Sequence, residues 1–144
     1  MKDSISIFWF RRDLRLEDNT ALNAALSNHD KVLPIFIFDT NILEELEETD
    51  PRVSFIYSTL KAIDNVLSKD GSGVSCFKGK AESGFKHLIE KYNVTDVYFN
   101  KDYEPYAVSR DNSIQKMLHS KDISSHIFKD QVIFEELEIT KDDK

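Results

Sequence analysis

Glycine and cysteine are scarce in this chain. Its 144 residues include four glycines and one cysteine, Cys76. A single cysteine excludes a disulfide within the chain, and its place in the apolar run VSCF predicts a buried, unreactive thiol. Neither G-x-G-x-x-G nor G-x-x-x-x-G-K-[ST] occurs, so the usual pyrophosphate-binding loops of nucleotide-binding proteins are not expected.

Long apolar runs and metal-binding patterns are missing as well. No segment approaches the roughly 20 apolar residues needed to span a membrane, and the opening MKDSISIF lacks the apolar stretch of a signal peptide. We therefore expect a cytoplasmic protein. The histidines, His29, His87, His119 and His126, have neither close spacing nor carboxylate companions along the sequence, so no metal site is predicted. No G-x-S-x-G elbow occurs, and we assign no catalytic residue.

The chain has fewer positively than negatively charged residues. The formal net charge is −7 at pH 7, whereas duplex-binding surfaces neutralise phosphates with lysine and arginine. The chain as a whole is therefore expected to repel nucleic acid.

Apolar patterns predict alternating strands and helices. Strands are expected at 4–10, 31–39, 73–79, 96–101 and 124–132, and helices at 19–28, 51–69, 81–92 and 105–120. Runs such as VLPIFIF are apolar on both faces, which is typical of parallel strands covered on both sides. The pattern predicts one α/β domain over 1–144, with a doubly wound, five-stranded, mostly parallel sheet and helices on both faces. Pro34 conflicts with a covered strand at 31–39, because proline prefers a strand start or an edge.

Charges of both signs follow the predicted strands, at the edge where such sheets bind ligands. Arg11 follows the first strand, Asp39 ends the second and Asp102 follows the fourth. Asp111 occupies an apolar position of the last helix, beside Arg110, and a buried aspartate needs a partner, for which Arg11 and a ligand are both candidates. The alternative is a bracing network among Arg11, Asp39, Asp102 and Arg110 without a ligand.

The stretch FWFRRDLRLEDNTAL resembles the opening of the DNA photolyase and cryptochrome flavoproteins, which begin with aromatic-Phe-Arg-x-Asp-Leu-Arg-x-x-Asp-Asn. The matching residues are Trp9, Phe10, Arg11, Asp13, Leu14, Arg15, Asp18 and Asn19. PIFIFD at 34–39, PRVSFIYSTL at 51–60 and DYEPYAVSRD at 102–111 fit later blocks of the same domain in order. The resemblance covers essentially the whole chain.

This resemblance implies a Rossmann-like N-terminal domain that holds an antenna chromophore. Its function would be light harvesting for a deoxyribodipyrimidine photolyase, a carbon–carbon lyase that uses blue or near-UV light and FAD to split pyrimidine dimers in DNA. The FAD and the damaged DNA would bind a helical C-terminal domain outside these 144 residues, so the isolated domain would be inactive. The alternatives are the same domain of a cryptochrome-type blue-light receptor and a stand-alone nucleotide-binding module.

By similarity, eight residues would line the antenna site: Arg11, Phe38, Asp39, Arg52, Val53, Asp102, Glu104 and Arg110. Folate-binding members usually carry an Asn-Glu pair just after the Tyr-Glu of this block, where this chain has Tyr106 and Ala107. The resemblance therefore favours a deazaflavin or a flavin over folate, or an empty site. The implied partners are the C-terminal FAD domain and, through it, damaged DNA, with no role for a membrane.

Overall fold

The structure, a computed structural model, describes residues 4–11, 14–40, 51–69 and 71–129. Within these ranges the elements are β1 (Ser4–Phe10), α1 (Thr20–Asn28), β2 (Val32–Asp39), α2 (Pro51–Ser68), β3 (Ser75–Gly79), α3 (Ala81–Lys91), β4 (Asn93–Asn100), α4 (Pro105–Ser120) and β5 (Ser124–Phe128). Arg12 and Asp13, and the predicted end of the last strand at 130–132, lie outside the described residues. Among those described, no helix has the length and apolar content to span a bilayer.

The five strands form one sheet in the order β3-β2-β1-β4-β5. Every neighbouring pair is parallel, so the predicted fold is confirmed and the sheet is parallel throughout. The chain adds strands on one side of β1 and then crosses to the other side with β4. This reversal of direction places the topological switch point at the carboxyl ends of β1 and β4, the position at which open α/β sheets bind ligands.

Helices cover both faces of the sheet. β1 shows this clearly, since its alternate side chains point to opposite faces and are buried on each. Ile7 and Trp9 pack in a core with residues of α3 and α4, whereas Phe8 and Phe10 pack with residues of α1 and α2. All four side chains are at most 1% exposed. This double burial explains why the strand reads as a nearly continuous apolar run.

Pro34 lies in an interior strand, contrary to the expectation of an edge. It is the third residue of β2 and is opposite Phe8 of β1. The pairing of β2 with β3 begins only at Ile35, opposite Ser75. The missing N–H therefore falls before the β2–β3 ladder starts, where β2 has one hydrogen-bonded neighbour.

The prediction that Cys76 is buried is wrong, because its side chain is exposed. β3 is an edge strand in which half-buried and exposed residues alternate. Phe77 packs against the core, and its neighbour Cys76 points away from it. The run VSCF is apolar on both faces, but an edge strand of this sheet has only one well-covered face.

The prediction that the histidines lack carboxylate companions is also wrong. Asp96 of β4 lies between two of them, with its carboxylate oxygens 2.9 Å from Nε2 of His126 and 3.6 Å from Nε2 of His29. The three residues are far apart in sequence: strand pairing brings His126 of β5 to Asp96, and His29 reaches Asp96 from the C-terminal end of α1. In the described ranges no group of three or more metal-ligating side chains is arranged to hold a metal ion.

Candidate functional site

Charged residues meet at the carboxyl edge of the sheet, where β1, β2 and β4 end side by side. Asp39 is the last residue of β2 and Asn100 the last of β4, and Arg11 directly follows β1. The second turn of α4 adds Arg110 and Asp111 above this edge. Four of these residues, Arg11, Asp39, Asn100 and Asp111, are buried, so their polar groups need partners within the protein.

Arg11 and Asp111 form a buried ion pair. Nη2 of Arg11 lies 2.8 Å and 2.7 Å from the two carboxylate oxygens of Asp111, and Nη1 donates to the backbone oxygen of Asn100 at 2.9 Å. Burial is the strongest influence on each group: it lowers the pKa of Arg11 and raises the pKa of Asp111, while their mutual attraction acts in the opposite direction. The prediction that Asp111 turns inward and requires a partner is confirmed.

A second ion pair joins β2 to α4. Nη1 of Arg110 donates to Oδ2 of Asp39 at 3.2 Å, and the hydroxyl of Tyr106 donates to the same oxygen at 2.9 Å. Nε of Arg110 lies 3.6 Å from Oδ1 of Asp111. This contact links the two pairs into one charge network across β1, β2 and α4.

The indole ring of Trp9 forms the floor beneath both arginines. The guanidinium carbon of Arg11 is 4.5 Å from the centre of the ring, and that of Arg110 is 4.8 Å away. Phe85 and Phe99 contact the same indole edge-on, at centroid distances of 5.0 Å and 5.2 Å. Cations favour the electron-rich face of an indole, and burial strengthens that attraction.

Asp102 and Glu104 lie on the loop between β4 and α4. Oδ1 of Asp102 accepts a hydrogen bond from the backbone nitrogen of Glu104 at 3.0 Å. Glu104 is the exposed N-cap residue of α4, and its side chain makes no capping bond there. Asp102 is close enough to influence the pKa of Arg11 electrostatically, so it belongs to the same charged edge.

Phe38, Arg52 and Val53 lie on the α2 side of this edge. Phe38 is buried and stacks on Tyr57 of α2 with a centroid distance of 4.7 Å and an interplanar angle of 22°. Val53 is half-buried one helical turn before Tyr57, and Arg52 is exposed. Phe38, Val53 and Tyr57 form an apolar wall at this edge.

The structure thus brings together three predicted site residues, Arg11, Asp39 and Arg110, through direct contacts with Asp111 and Tyr106. Three of the four residues in the alternative bracing network are therefore linked. The sequence reasoning did not assign Tyr106 a partner, although a hydroxyl one turn before Arg110 on the same helix was a usable signal. Two cavities lined entirely by described residues lie elsewhere, at the amino ends of β1 and β5.

Comparison with known proteins settles the family. Residues 6–144 match the sequence model of the family described as DNA photolyase. The chain belongs to the DNA photolyase family. The resemblance drawn from the sequence is therefore confirmed.

A solved photolyase is similar to this domain in fold and sequence. The archaeal photolyase from Sulfolobus tokodaii is 38% identical with a TM-score of 0.75, and the match covers 87% of this chain and 29% of that one. Its structure contains two FAD molecules and is described as implying a novel light-harvesting cofactor. The class III photolyase from Agrobacterium tumefaciens is 26% identical with a TM-score of 0.76, covering 90% of this chain and 26% of that one.

Curated relatives include both photolyases and cryptochromes. The deoxyribodipyrimidine photolyase of a Synechococcus strain is 29% identical over 127 residues, which is 88% of this chain and 26% of that protein. Cryptochrome-2 of Gallus gallus is 35% identical over 112 residues, 78% of this chain and 19% of that protein. The chain thus spans about a fifth to a quarter of the length of these relatives.

Proposed function

We propose that this chain is the light-harvesting domain of a deoxyribodipyrimidine photolyase and holds an antenna chromophore at the carboxyl edge of the sheet. The observation that carries the proposal is the meeting of an ion-pair network, Asp39–Arg110, with an apolar wall, Phe38–Tyr57, at that edge. The similarity to a photolyase solved with two FAD molecules supports it. The full-length protein would use FAD in a helical C-terminal domain to split pyrimidine dimers, and only that domain would contact DNA. We place the protein in the cytoplasm.

The residues at this edge suit a flat, hydrogen-bonding ring. Tyr57 is 56% exposed and, with Val53 one turn before it, offers an apolar surface for a planar group. The carboxylates of Asp102 and Glu104 accept hydrogen bonds from ring N–H groups or sugar hydroxyls, and Arg52 donates them. When bound, the chromophore would absorb near-UV or blue light and pass the excitation onward.

The eight predicted residues would divide into two roles. Arg11 is committed to the buried pair with Asp111, so we assign it a positioning role, with Arg110 and Asp39 forming the charged border of the site. The other five, Phe38, Arg52, Val53, Asp102 and Glu104, would contact the chromophore or face it directly. This division follows from burial, because both terminal nitrogens of the buried Arg11 guanidinium already donate to Asn100 and Asp111, which leaves few donors for a ligand.

A flavin or a deazaflavin suits this edge better than folate. Tyr106 occupies the position where folate-binding members usually carry asparagine, and its hydroxyl already donates to Asp39. Ala107, at the following position, is only 4% exposed on the inner side of α4. Neither side chain offers the amide or carboxylate that the resemblance associates with folate.

A titration of the chain with FAD, FMN, a deazaflavin and a reduced folate tests the proposal. We expect a near-UV or blue absorption band to remain with the protein after gel filtration for a flavin or the deazaflavin. Trp9 is the only tryptophan, so quenching of its emission gives a second measure of binding. If none of the four compounds is retained, the light-harvesting function is refuted, and calorimetry with AMP and ATP then tests a nucleotide-binding module.

A matched pair of substitutions on α2 locates the site. Val53→Arg places a long charged side chain in the apolar wall, and we expect it to weaken chromophore binding at least about tenfold, the effect of losing about 1.4 kcal/mol. Ala62→Arg, nine residues later on the opposite side of the helix, adds the same charge at an exposed position and should leave binding unchanged. Equal affinities for the two variants would place the site elsewhere.

A cryptochrome-type light receptor is the second candidate, favoured by the 35% identity to cryptochrome-2 of Gallus gallus. The domain described here would have the same antenna role in either case. Repair of an oligonucleotide that contains a cyclobutane dimer, measured with the full-length protein under blue light, distinguishes the two. Loss of dimers supports the photolyase, and light absorption without repair supports the receptor.

A further inference from the structure

Trp9 is the only tryptophan of the chain, and its ring contacts Arg110, which forms part of the charged border of the proposed chromophore site. It is 1% exposed, and a single residue, Arg110, separates its ring from the carboxylate of Asp39. An indole is among the most easily oxidised side chains of a protein. A tryptophan this close to a photoexcited flavin would ordinarily act as an electron donor and quench the excited state.

The surroundings of Trp9 oppose such a donation. Two guanidinium carbons lie 4.5 Å and 4.8 Å from the centre of its ring, those of Arg11 and Arg110. Guanidinium groups remain protonated at all ordinary pH values. A positive charge next to a neutral indole is attracted to its face, but next to an indole radical cation it is repelled, and burial weakens the screening of that repulsion.

We propose that Arg11 and Arg110 electrostatically insulate Trp9, so that it does not donate an electron to a photoexcited chromophore held at the carboxyl edge of the sheet. The inference rests on the proposed function for the presence of the chromophore. The contact between the two cations and the indole does not depend on that function, because it involves only residues of the protein itself. An antenna must keep its excitation long enough to transfer it, so an insulated tryptophan serves a light-harvesting domain.

The suppressed reaction is a one-electron transfer. The excited isoalloxazine ring would gain one electron and become a semiquinone radical anion, and Trp9 would lose one and become a radical cation; no bond would form or break. Asp39 and Asp111 contact the terminal nitrogens of the two arginines. The guanidinium carbons themselves contact the ring, at 4.5 Å and 4.8 Å from its centre.

Two substitutions of Arg110 separate its charge from its bulk. Arg110→Lys keeps a cation above Trp9, whereas Arg110→Met keeps an unbranched side chain without the charge. With a flavin bound, we expect Arg110→Met to shorten the fluorescence lifetime of the flavin at least about threefold and Arg110→Lys to leave it near the wild-type value. Trp9→Phe in the Arg110→Met background should restore the lifetime, because the donor is then gone.

The same comparison controls for other donors. Tyr57 and Tyr106 are also oxidisable, so the contribution of Trp9 is the difference between each variant and its Trp9→Phe counterpart. An unchanged lifetime in Arg110→Met overturns the inference. So does a shortening that persists after Trp9→Phe, or one that is equally large in Arg110→Lys.

A measurement without chromophore separates this inference from the proposed function. The one-electron oxidation potential of Trp9, determined by voltammetry on the ligand-free chain against the Trp9→Phe variant, should be lower in Arg110→Met than in the wild type and Arg110→Lys. If no chromophore binds but the potential falls, the light-harvesting function fails and the insulation of Trp9 stands. If the potential does not change, the insulation is refuted whatever the chain binds.

Discussion

The single residue with the largest expected effect on stability is Asp111. Its carboxylate is the partner of the buried Arg11 guanidinium at 2.7 Å. Replacing Asp111 by alanine leaves that positive charge buried without its counter-charge, which typically costs about 3–5 kcal/mol. We expect the free energy of unfolding, measured in urea, to fall by that amount.

Two further variants show whether the loss comes from the unpaired charge. Arg11→Met combined with Asp111→Leu removes both charges, and we expect it to be more stable than Asp111→Ala alone, because the desolvation penalty disappears with the pair. Asn112→Ala, at an exposed position next to Asp111 on α4, should change stability by less than about 0.5 kcal/mol. A double variant as unstable as Asp111→Ala would show that the ion pair itself stabilises the fold.

Asp96 gives the domain a specific response to acid. Burial alone would raise the pKa of Asp96, but hydrogen bonds from His126 and Thr95 and the charge of nearby His29 outweigh it, so the pKa lies below its ordinary value of 3.8. The unfolded chain therefore takes up this proton first as the pH falls. The stability that Asp96 contributes is present above about pH 4 and is lost as the pH drops through its lower folded-state pKa.

We therefore expect Asp96→Asn to cost more stability at pH 6 than at pH 3. Urea unfolding at pH 3, 4 and 6 measures this difference. Glu82→Gln, on the exposed side of α3, removes a carboxylate without these hydrogen bonds. Its cost in stability should show no comparable difference between pH 6 and pH 3. A loss of stability for Asp96→Asn that is the same at all three pH values would contradict the lowered pKa of Asp96 in the folded state.

At the scale of elements, Asn19 joins the start of α1 to the end of β4. Its Oδ1 accepts the capping bond from the backbone nitrogen of Leu22 at 3.2 Å and a bond from Nδ2 of Asn100 at 2.8 Å. Oδ1 of Asn100 in turn accepts from the backbone nitrogen of Ala21. The two asparagines fix α1 against the strand end that also receives Arg11.

Asn19→Ala should therefore cost more than an ordinary helix cap. Loss of a cap costs about 1 kcal/mol, and leaving the buried amide of Asn100 without its acceptor adds about 1–3 kcal/mol. The expected loss, measured by urea unfolding, is about 2–4 kcal/mol. Asn28→Ala removes an exposed side-chain bond at the other end of α1 and should cost less than about 0.5 kcal/mol; similar losses for the two variants would refute the special role of Asn19.

Helices and strands were predictable where their signals come from residues close together in the sequence. The helix over Pro105–Ser120 and the strand over Ser4–Phe10 were predicted to the residue, because a proline at the first helical position and an apolar run are sequence signals. The exposure of Cys76 was not predictable, since it depends on β3 being at the edge of the sheet. The alternation of strands and helices does not specify strand order.

The site was predictable in part for the same reason. Strand ends and an aspartate at an apolar helix position made Arg11 one of two candidate partners for Asp111, the other being a ligand, because buried charge must be compensated. The bond between Tyr106 and Asp39 joins residues 67 positions apart, so the position of Tyr106 one turn before Arg110 was a local signal that could not by itself identify the acceptor. The contact of Asp96 with His126 likewise arises only when β4 and β5 pair in register, and its contact with His29 requires the end of α1 to lie beside β4.

At the scale of the whole molecule, the net charge of −7 makes a prediction about DNA. Affinity for a duplex comes largely from cations that displace counter-ions from phosphates. Two arginines at the carboxyl edge are neutralised: Arg11 by Asp111 and Arg110 by Asp39. These two side chains therefore offer no uncompensated positive charge to a phosphate.

We therefore expect this chain to bind a duplex containing a cyclobutane dimer no better than an undamaged duplex, with Kd weaker than about 10⁻⁴ M, the weak end of non-specific binding at physiological salt. Fluorescence anisotropy with both duplexes measures this, and the full-length protein provides the positive control. Micromolar binding by this chain that weakens steeply with added salt would show a basic surface and would contradict the assignment of DNA contact to the C-terminal domain. Preference for the damaged duplex would contradict it more directly, because a light-harvesting domain has no reason to recognise the lesion.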